Sequence, residues 1–426
     1  MNELNKTIGF WKGLGIAVSM VIGSGLLGLP GLTFGHANVY ESLLGWLLMP
    51  LIACPLIKLF SDLGMMYPSS AGISKYVEVA VGGYGRYVVT IVYCGTITIG
   101  IPALAIIGGS YINELFGVLS PYVFAIIILI LMSIINLFGI KLSSIINLLS
   151  LILLLLLIFL LILFNFKYLG AGFKIFFASS NSDSVVSLIY LSNLWQVCAI
   201  LFWAYLGWEN LSFGLEEFKR PKQIIPLIYW ISFVLISMLY TALAIVSAGA
   251  IINDIKLSGP SGLTVLIKNI PYYELVLAVV VILIIANGNA WIFGASRLIY
   301  ASGKDKILPQ FLGTLSKNDV PTKSIILLCS FYVFVVIAIY LFNIDVSILI
   351  MLVSQNFIVL FGITIFAYWK IKRGINRWII SITSFIPVVF LISGFNWLFI
   401  YPVTLILLAI IACIRSSKLL LQKSIH

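Results

Sequence analysis

The sequence predicts an all-α polytopic membrane protein of twelve transmembrane helices, forming one domain over residues 1–426. Three observations carry that prediction. Of the 426 residues, 62% are apolar, 34 more are Gly and only 9% are charged. Soluble domains are about 45–50% apolar and about 25% charged, so a water-facing globule of this size has too few charges to cover its surface. The apolar residues also form long charge-free runs at or above the roughly 20 residues that cross a bilayer as a helix. Outer-membrane barrel strands are shorter and alternate in polarity. Lastly, the basic residues are distributed asymmetrically between the loops. A cytosolic enzyme, a nucleic-acid binder and a disordered chain are excluded.

Runs free of Asp, Glu, Lys and Arg cover 13–40, 42–57, 87–113, 115–140, 142–166, 184–208, 223–253, 275–296, 324–344, 346–369 and 378–414. The second continues past Lys58 to Met66, because Lys58 and Asp62 are four residues apart and can pair on one helix face. The last run is 37 residues long, about 55 Å as a straight helix and too long for one crossing. Gly394-Phe395-Asn396 offers a turn in its middle. Splitting it there brings the count to twelve.

Twelve crossings return both termini to one side. Twenty of the 25 Lys and Arg lie in loops on that side. Four (Lys167, Lys174, Lys256 and Lys268) lie on the other, and Lys58 is within the second span. This asymmetry marks the terminal side as cytoplasmic and reads the net charge of +11 as a membrane signature, with lipid rather than nucleic acid as the partner. Arg297, just past the eighth span, is expected to snorkel to the inner interface. The five Cys fall in apolar stretches and are expected as free thiols. No cleavable signal peptide is expected, since the first run is too long and lacks a small-residue cleavage site. The loops leave no room for a soluble domain, so function must lie within the membrane region.

Interruptions at mid-membrane depth are therefore the informative places. Gly23-Ser24-Gly25 falls near the centre of the first span. If the helix opens there, the amides starting its second half and their dipole make a carboxylate site. The same residues also suit a small-residue strip for close helix packing. The sixth span reads Phe202-Trp203-Ala204-Tyr205-Leu206-Gly207-Trp208-Glu209-Asn210, with a Gly beside an acid. An intramembrane carboxylate is costly unless paired or facing water. Glu209 is thus either a proton-titrating or gating group at a cavity, or a carboxyl held by backbone for structural reasons. Asn287 and Asn289 in the eighth span face a cavity or hydrogen-bond between helices. The two breaks are offset by five spans, an odd number, so two five-span units have opposite orientation. Their extents are 11–164 and 193–369, with two helices over 376–415 appended.

These stretches resemble the amino acid–polyamine–organocation (APC) transporter family. Val21-Ile22-Gly23-Ser24-Gly25 followed by Leu29-Pro30 is similar to its first-helix motif. Phe202-Trp203-x-x-x-Gly207-x-Glu209, then Glu217-Phe218-Lys219-x-Pro221 and Pro226, is similar to its sixth helix and following loop. Tyr67-Pro68-Ser69-Ser70-Ala71-Gly72 with Tyr76 and Gly82-Gly83 resembles an internal loop, and Arg297 to Pro321 resembles the loop after the eighth helix. Within the family, the short chain and these wordings look most like bacterial L-methionine/branched-chain amino acid exporters.

The resemblance implies a LeuT-like 5+5 inverted repeat plus two extra helices, in a bacterial inner membrane. It implies that the amides of Ser24 and Gly25, beside Gly23, hold a substrate carboxylate. Carbonyls of Val21, Trp203 and Leu206 would meet the ammonium. Trp203 and Tyr205, with Phe202 and Gly207 in the same motif, would line the side-chain pocket or gate, and Glu209 would serve gating and proton response. Some members carry a Lys midway along the fifth span, whereas the run Leu142–Phe166 has none. Proton use through Glu209, plain exchange and a sodium site between spans one and eight stay open.

The expectation is a secondary transporter exporting small neutral L-amino acids by alternating access. The alternative is a proton-coupled importer or exchanger of broader or cationic specificity. An intramembrane enzyme would need paired catalytic groups, and a channel would need repeated polar rings; one lone acid supplies neither. The two His and scattered Cys do not build a metal site, and no cofactor is expected.

Overall fold

The computed structural model describes residues 6–22, 24–117, 119–178, 188–259, 261–316, 319–393 and 396–423. Side chains are described for these except at 24–27, 140–142, 144, 176–178, 188–192 and 415–423. The chain folds into helices α1 (Phe10–Val21), α2 (Ser24–His36), α3 (Val39–Met66), α4 (Gly72–Val81), α5 (Gly83–Phe116), α6 (Pro121–Leu137) and α7 (Ile140–Phe164). These are followed by α8 (Phe166–Ala178), α9 (Leu188–Phe202), α10 (Trp208–Leu211), α11 (Pro221–Ile252), α12 (Thr264–Ile267) and α13 (Tyr273–Lys304). The last four are α14 (Thr322–Leu341), α15 (Val346–Ile371), α16 (Ile375–Ile392) and α17 (Ile400–Lys423).

Among the described residues, nine helical stretches are long and apolar enough to cross a membrane, and α1 and α6 are shorter apolar helices. The first and sixth expected spans are each broken into pieces, α1 with α2 and α9 with α10. The final apolar run divides between α16 and α17, where the expected turn lies; Gly394 and Phe395 are outside the described residues.

Local chemistry sets several boundaries. Asn38 and Glu41 form a reciprocal capping box at the start of α3, with bonds of 2.8 and 3.2 Å. Ser120 followed by Pro121 opens α6. Asp345 accepts the Ser347 N–H at 2.7 Å and caps α15. Most of α1 and α13 is buried, as is the stretch of α5 from Ile101 to Gly109. Helices α14, α16 and α17 instead turn apolar side chains such as Phe334, Ile386 and Leu407 outward, where only lipid suits them. The small residue Gly15 lets α1 approach α7: a Cβ there would lie 2.8 Å from the Leu148 Cα.

Polar contacts tie the loops into two opposite faces. On the face carrying most of the basic residues, Ile8 bridges the segment after α10, through Ile8 N–H to Glu217 O (3.0 Å) and Lys219 N–H to Ile8 O (2.8 Å). The Glu216 carboxylate accepts the Ser70 N–H at 2.9 Å. Arg86 pairs with Glu78 at 3.2 Å and also with Asp305. Lys58 and Asp62 do pair, at 2.5 Å, and Asp62 further meets Lys372 at 3.2 Å and the Tyr368 hydroxyl at 2.9 Å. On the opposite face, Asn165 donates to Leu266 O at 3.2 Å and Ser261 to Glu114 at 3.2 Å.

Arg297 corrects an expectation. It does not snorkel: its side chain is 2% exposed, it pairs with Glu217 at 2.9 Å, and its guanidinium lies 3.9 Å from the Phe293 ring centroid. The motif after the sixth span bends back under α13, so a buried carboxylate waits where lipid headgroups were expected. Removing one member of a buried pair strands the other at a cost of about 3–5 kcal/mol. Arg297→Met should therefore lower the thermal unfolding temperature of the detergent-solubilised protein sharply. Adding Glu217→Gln to it should restore much of the loss, as read by size-exclusion after heating.

Candidate functional site

Both interruptions are present, and they meet. Helix α1 stops at Val21; Ile22 is extended (φ −91°, ψ 115°), and α2 resumes at Ser24. Gly23 lies outside the described residues, while Ser24 and Gly25 form the backbone of the first turn of α2. In the sixth span, α9 ends at Phe202, a single 3-10 turn covers Trp203–Tyr205, and Leu206 is extended (φ −82°, ψ 155°). Gly207 then takes φ 123°, and α10 starts at Trp208. That dihedral is open to Gly alone among ordinary residues. The position is also tight, since a Cβ on Gly207 would stand 2.8 Å from Met20 O and 3.0 Å from Val21 Cγ2. Gly207 is where the two unwound segments touch.

Unwinding leaves carbonyls without helical partners, and neighbouring helices supply donors. The Tyr240 hydroxyl on α11 reaches Val21 O at 3.2 Å and Ala204 O at 3.0 Å, bridging both breaks. From α13, Asn287 Nδ2 donates to Ser19 O and to Met20 O (3.0 Å), and Trp291 Nε1 donates to Met20 O at 2.7 Å. The Tyr229 hydroxyl holds Trp208 O at 2.9 Å, and Tyr93 bonds Asn210 Oδ1 at 2.5 Å. Glu209 is fully buried. Its Oε1 accepts the Gly207 N–H at 2.9 Å, while Oε2 has no hydrogen-bond partner.

Beside the crossing lies a narrow cavity with ≈ 30 Å³ of free space, room for about one water molecule. Met20, Val21, Trp203 and Leu206 line it from the two breaks. Thr96 and Gly100 of α5, Asn287 and Trp291 of α13, and Val353 and Phe357 of α15 complete most of the wall. No charged residue lines it among the described residues.

The expected residues divide. Val21, Trp203, Leu206 and Asn287 come together at the cavity, with Gly207 at the contact behind them. Phe202 and Tyr205 do not line it: Phe202 packs on Phe361 and Tyr205 on Tyr240, each with ring centroids 5.4 Å apart. Asn289 is also turned away. It accepts from Asn136 at 2.9 Å and donates to Ser143 at 3.0 Å and Asn147 at 3.3 Å, an interhelical network joining α6, α7 and α13. Two residues apart on a helix face different directions, so Asn287 and Asn289 could not share one role. The sequence reading missed Tyr240, Trp291 and the α5 wall. Tyr240 and Trp291 each place a hydrogen-bonding tip deep in an apolar run, a signal that was available.

Because Gly207 is both left-handed and pressed on Met20, Gly207→Ala should abolish function and destabilise the bundle by more than the about 1–3 kcal/mol typical of overpacking. Transport assays and thermal unfolding of the same preparation check this; wild-type values in both would separate the two breaks.

The model of the amino acid permease family matches residues 8–409. Over 415 residues, spanning 95% of this chain and 94% of the relative, the chain is 26% identical to the "uncharacterized amino acid permease YecA" of Bacillus subtilis (strain 168). It is 22% identical over 410 residues, 95% of this chain and 96% of the relative, to the L-methionine/branched-chain amino acid exporter YjeH of Escherichia coli (strain K12). Among solved structures it resembles MhsT in complex with L-phenylalanine, with TM-score 0.63 and 14% identity over 97% of this chain and 100% of that one. That likeness concerns the fold, a LeuT-like arrangement. With the family match running from the residue that bridges the basic face to the last helix, the chain belongs to the amino acid permease family.

Proposed function

We propose that this transporter carries small neutral, apolar L-amino acids of the methionine and branched-chain type across the plasma membrane by alternating access. The observation carrying the reading is the cavity wall, which is uncharged and largely apolar and meets the backbone of two broken helices. A cationic or anionic side chain would be desolvated there without a partner, which is costly. The first-turn amides of α2, at Ser24 and Gly25, are suited to a carboxylate. Carbonyls of Val21, Trp203 and Leu206 suit an ammonium. Val21 O already accepts from Tyr240, and Trp203 O accepts the Leu206 N–H at 3.3 Å; each carbonyl has a second lone pair to offer. The 22%-identical exporter supports the same substrate class and an outward direction. Trp203 and Trp291 must swing aside to admit a substrate into so small a space.

On this reading the protein is proton-responsive and sodium-independent. Met20 O, a carbonyl a cation would use between α1 and α13, already accepts two N–H donors, from Asn287 and Trp291, so both its lone pairs are taken. Glu209 sits at the second break with one carboxyl oxygen free of protein partners, so it can exchange a proton as the break moves.

Purified protein in liposomes, given labelled Met, Leu, Lys or Glu under imposed gradients, should move Met and Leu in preference to Lys and Glu. Replacing sodium by choline should leave the rate unchanged. Preferred movement of Lys or Glu would overturn the substrate class. Glu209→Gln should retain exchange of Met but flatten its dependence on pH; a mutant profile parallel to wild type would make Glu209 structural.

A further inference from the structure

No Asp or Glu follows Asp345 in the sequence, while seven Lys and Arg do. Four of the seven, Lys370, Lys372, Arg373 and Arg377, gather within eight residues at the turn joining α15 to α16. Lys372 is drawn back to Asp62 of α3 at 3.2 Å, a carboxylate that also pairs with Lys58. Lys370, Arg373 and Arg377 have no ion-pair partner among the described residues. Three positive charges therefore stand together uncompensated on the basic face.

Basic residues near the end of a membrane span are general; the way these are held is particular. Phe366, Trp369 and Lys370 recur at three- and four-residue spacing and so share one side of α15. Phe366 and Trp369 stack with ring centroids 6.0 Å apart, and Trp369 meets Trp378 of α16 edge-on at 5.9 Å. Arg377 lies on this aromatic shelf, its guanidinium carbon 4.1 Å from the Trp369 ring centroid and 5.2 Å from that of Trp378. Lys370 Nζ stands 5.7 Å from the Phe366 centroid. Stacking on rings uses the faces of a guanidinium and leaves the N–H fork in its plane for a phosphate. Arg377 Nε is covered, but its two Nη groups are not, and no acceptor among the described residues meets them.

The surface leading away from the shelf is apolar. Trp378, Ile382, Phe385 and Val389 recur at three- and four-residue spacing along α16 and are 46–53% exposed, with Phe366 of α15 beside them at 48%. An acidic protein or a nucleic acid would meet the cations and leave this stripe bare. A phospholipid covers both, with its phosphate at the helix ends and its chains along the span.

We propose that the α15–α16 turn binds one anionic phospholipid of the adjoining leaflet. Its phosphate sits against Arg377, Arg373 and Lys370, and an acyl chain lies along the exposed stripe of α16. Three uncompensated cations favour a headgroup that keeps its net negative charge over one whose own ammonium cancels it.

Native mass spectrometry of the whole chain, titrated with dioleoyl phosphatidylglycerol or dioleoyl phosphatidylcholine, reads the first lipid bound. The wild type should bind phosphatidylglycerol at least about 5-fold more tightly than phosphatidylcholine, the worth of one basic side chain at a membrane surface. Arg377→Gln should remove most of that preference. Lys323→Gln, which takes an exposed charge from the same face at the start of α14, should leave it unchanged. Equal binding of the two lipids by the wild type overturns the site without any variant. An equal loss in Lys323→Gln means attraction to the basic face as a whole and also overturns it. Full binding by Arg377→Lys overturns the stacked guanidinium, and displacement of the lipid by inorganic phosphate overturns the acyl contact. Because the measurement needs no flux, the lipid site and the proposed transport function can fail separately.

Discussion

The structure depends on one crossing, where Gly207 of the sixth span lies against the Met20 carbonyl of the first. In a bilayer every backbone polar group needs an internal partner, and each one left bare costs several kcal/mol. Two helices unwound side by side thus form an unstable element unless other helices satisfy them. Tyr240 does so for both at once through Val21 O and Ala204 O. Asn287 and Trp291 serve the carbonyls of Ser19 and Met20. The donors stand on α11 and α13, so the breaks are held by their surroundings and not by local sequence.

Behind the crossing the polar contacts are neutral. Ser19 and Ser150 share a hydrogen bond of 2.6 Å, and Asn136, Ser143, Asn147 and Asn289 continue the network through α6, α7 and α13. Apart from Glu209 at the second break, the described acidic and basic side chains are kept toward the faces. Glu217 with Arg297, and Asp62 with Lys58 and Lys372, join helices distant in sequence on the basic face. Neutral amides and hydroxyls can bind helices in an apolar interior without the desolvation cost of ions. The Arg297–Glu217 pair is closed to solvent, whereas Lys58 and Lys372 are partly exposed, so their pairs with Asp62 can separate and re-form with water at hand. A bundle built in this way is cohesive in its centre and divisible at its margins.

The amino-acid sequence determined the fold class, the order of the spans, the places where two of them break and the pairing of Lys58 with Asp62. These rest on local properties: runs of apolar residues long enough for a bilayer, Gly where dihedrals must open, and four-residue spacing on a helix. The resemblance of the sequence motifs to the APC family also implied that Val21, Trp203 and Leu206 lie near one another, and the cavity brings them together. The tertiary structure alone decided which face of each helix turns inward. It sent Tyr205 to pack on Tyr240 and Asn289 into an interhelical network, while Asn287 met the break. It buried Arg297 against Glu217, a residue 80 positions away. In a chain this apolar, hydrophobic periodicity cannot distinguish a lipid-facing side from a buried one, so orientation about each helix axis is settled only by packing.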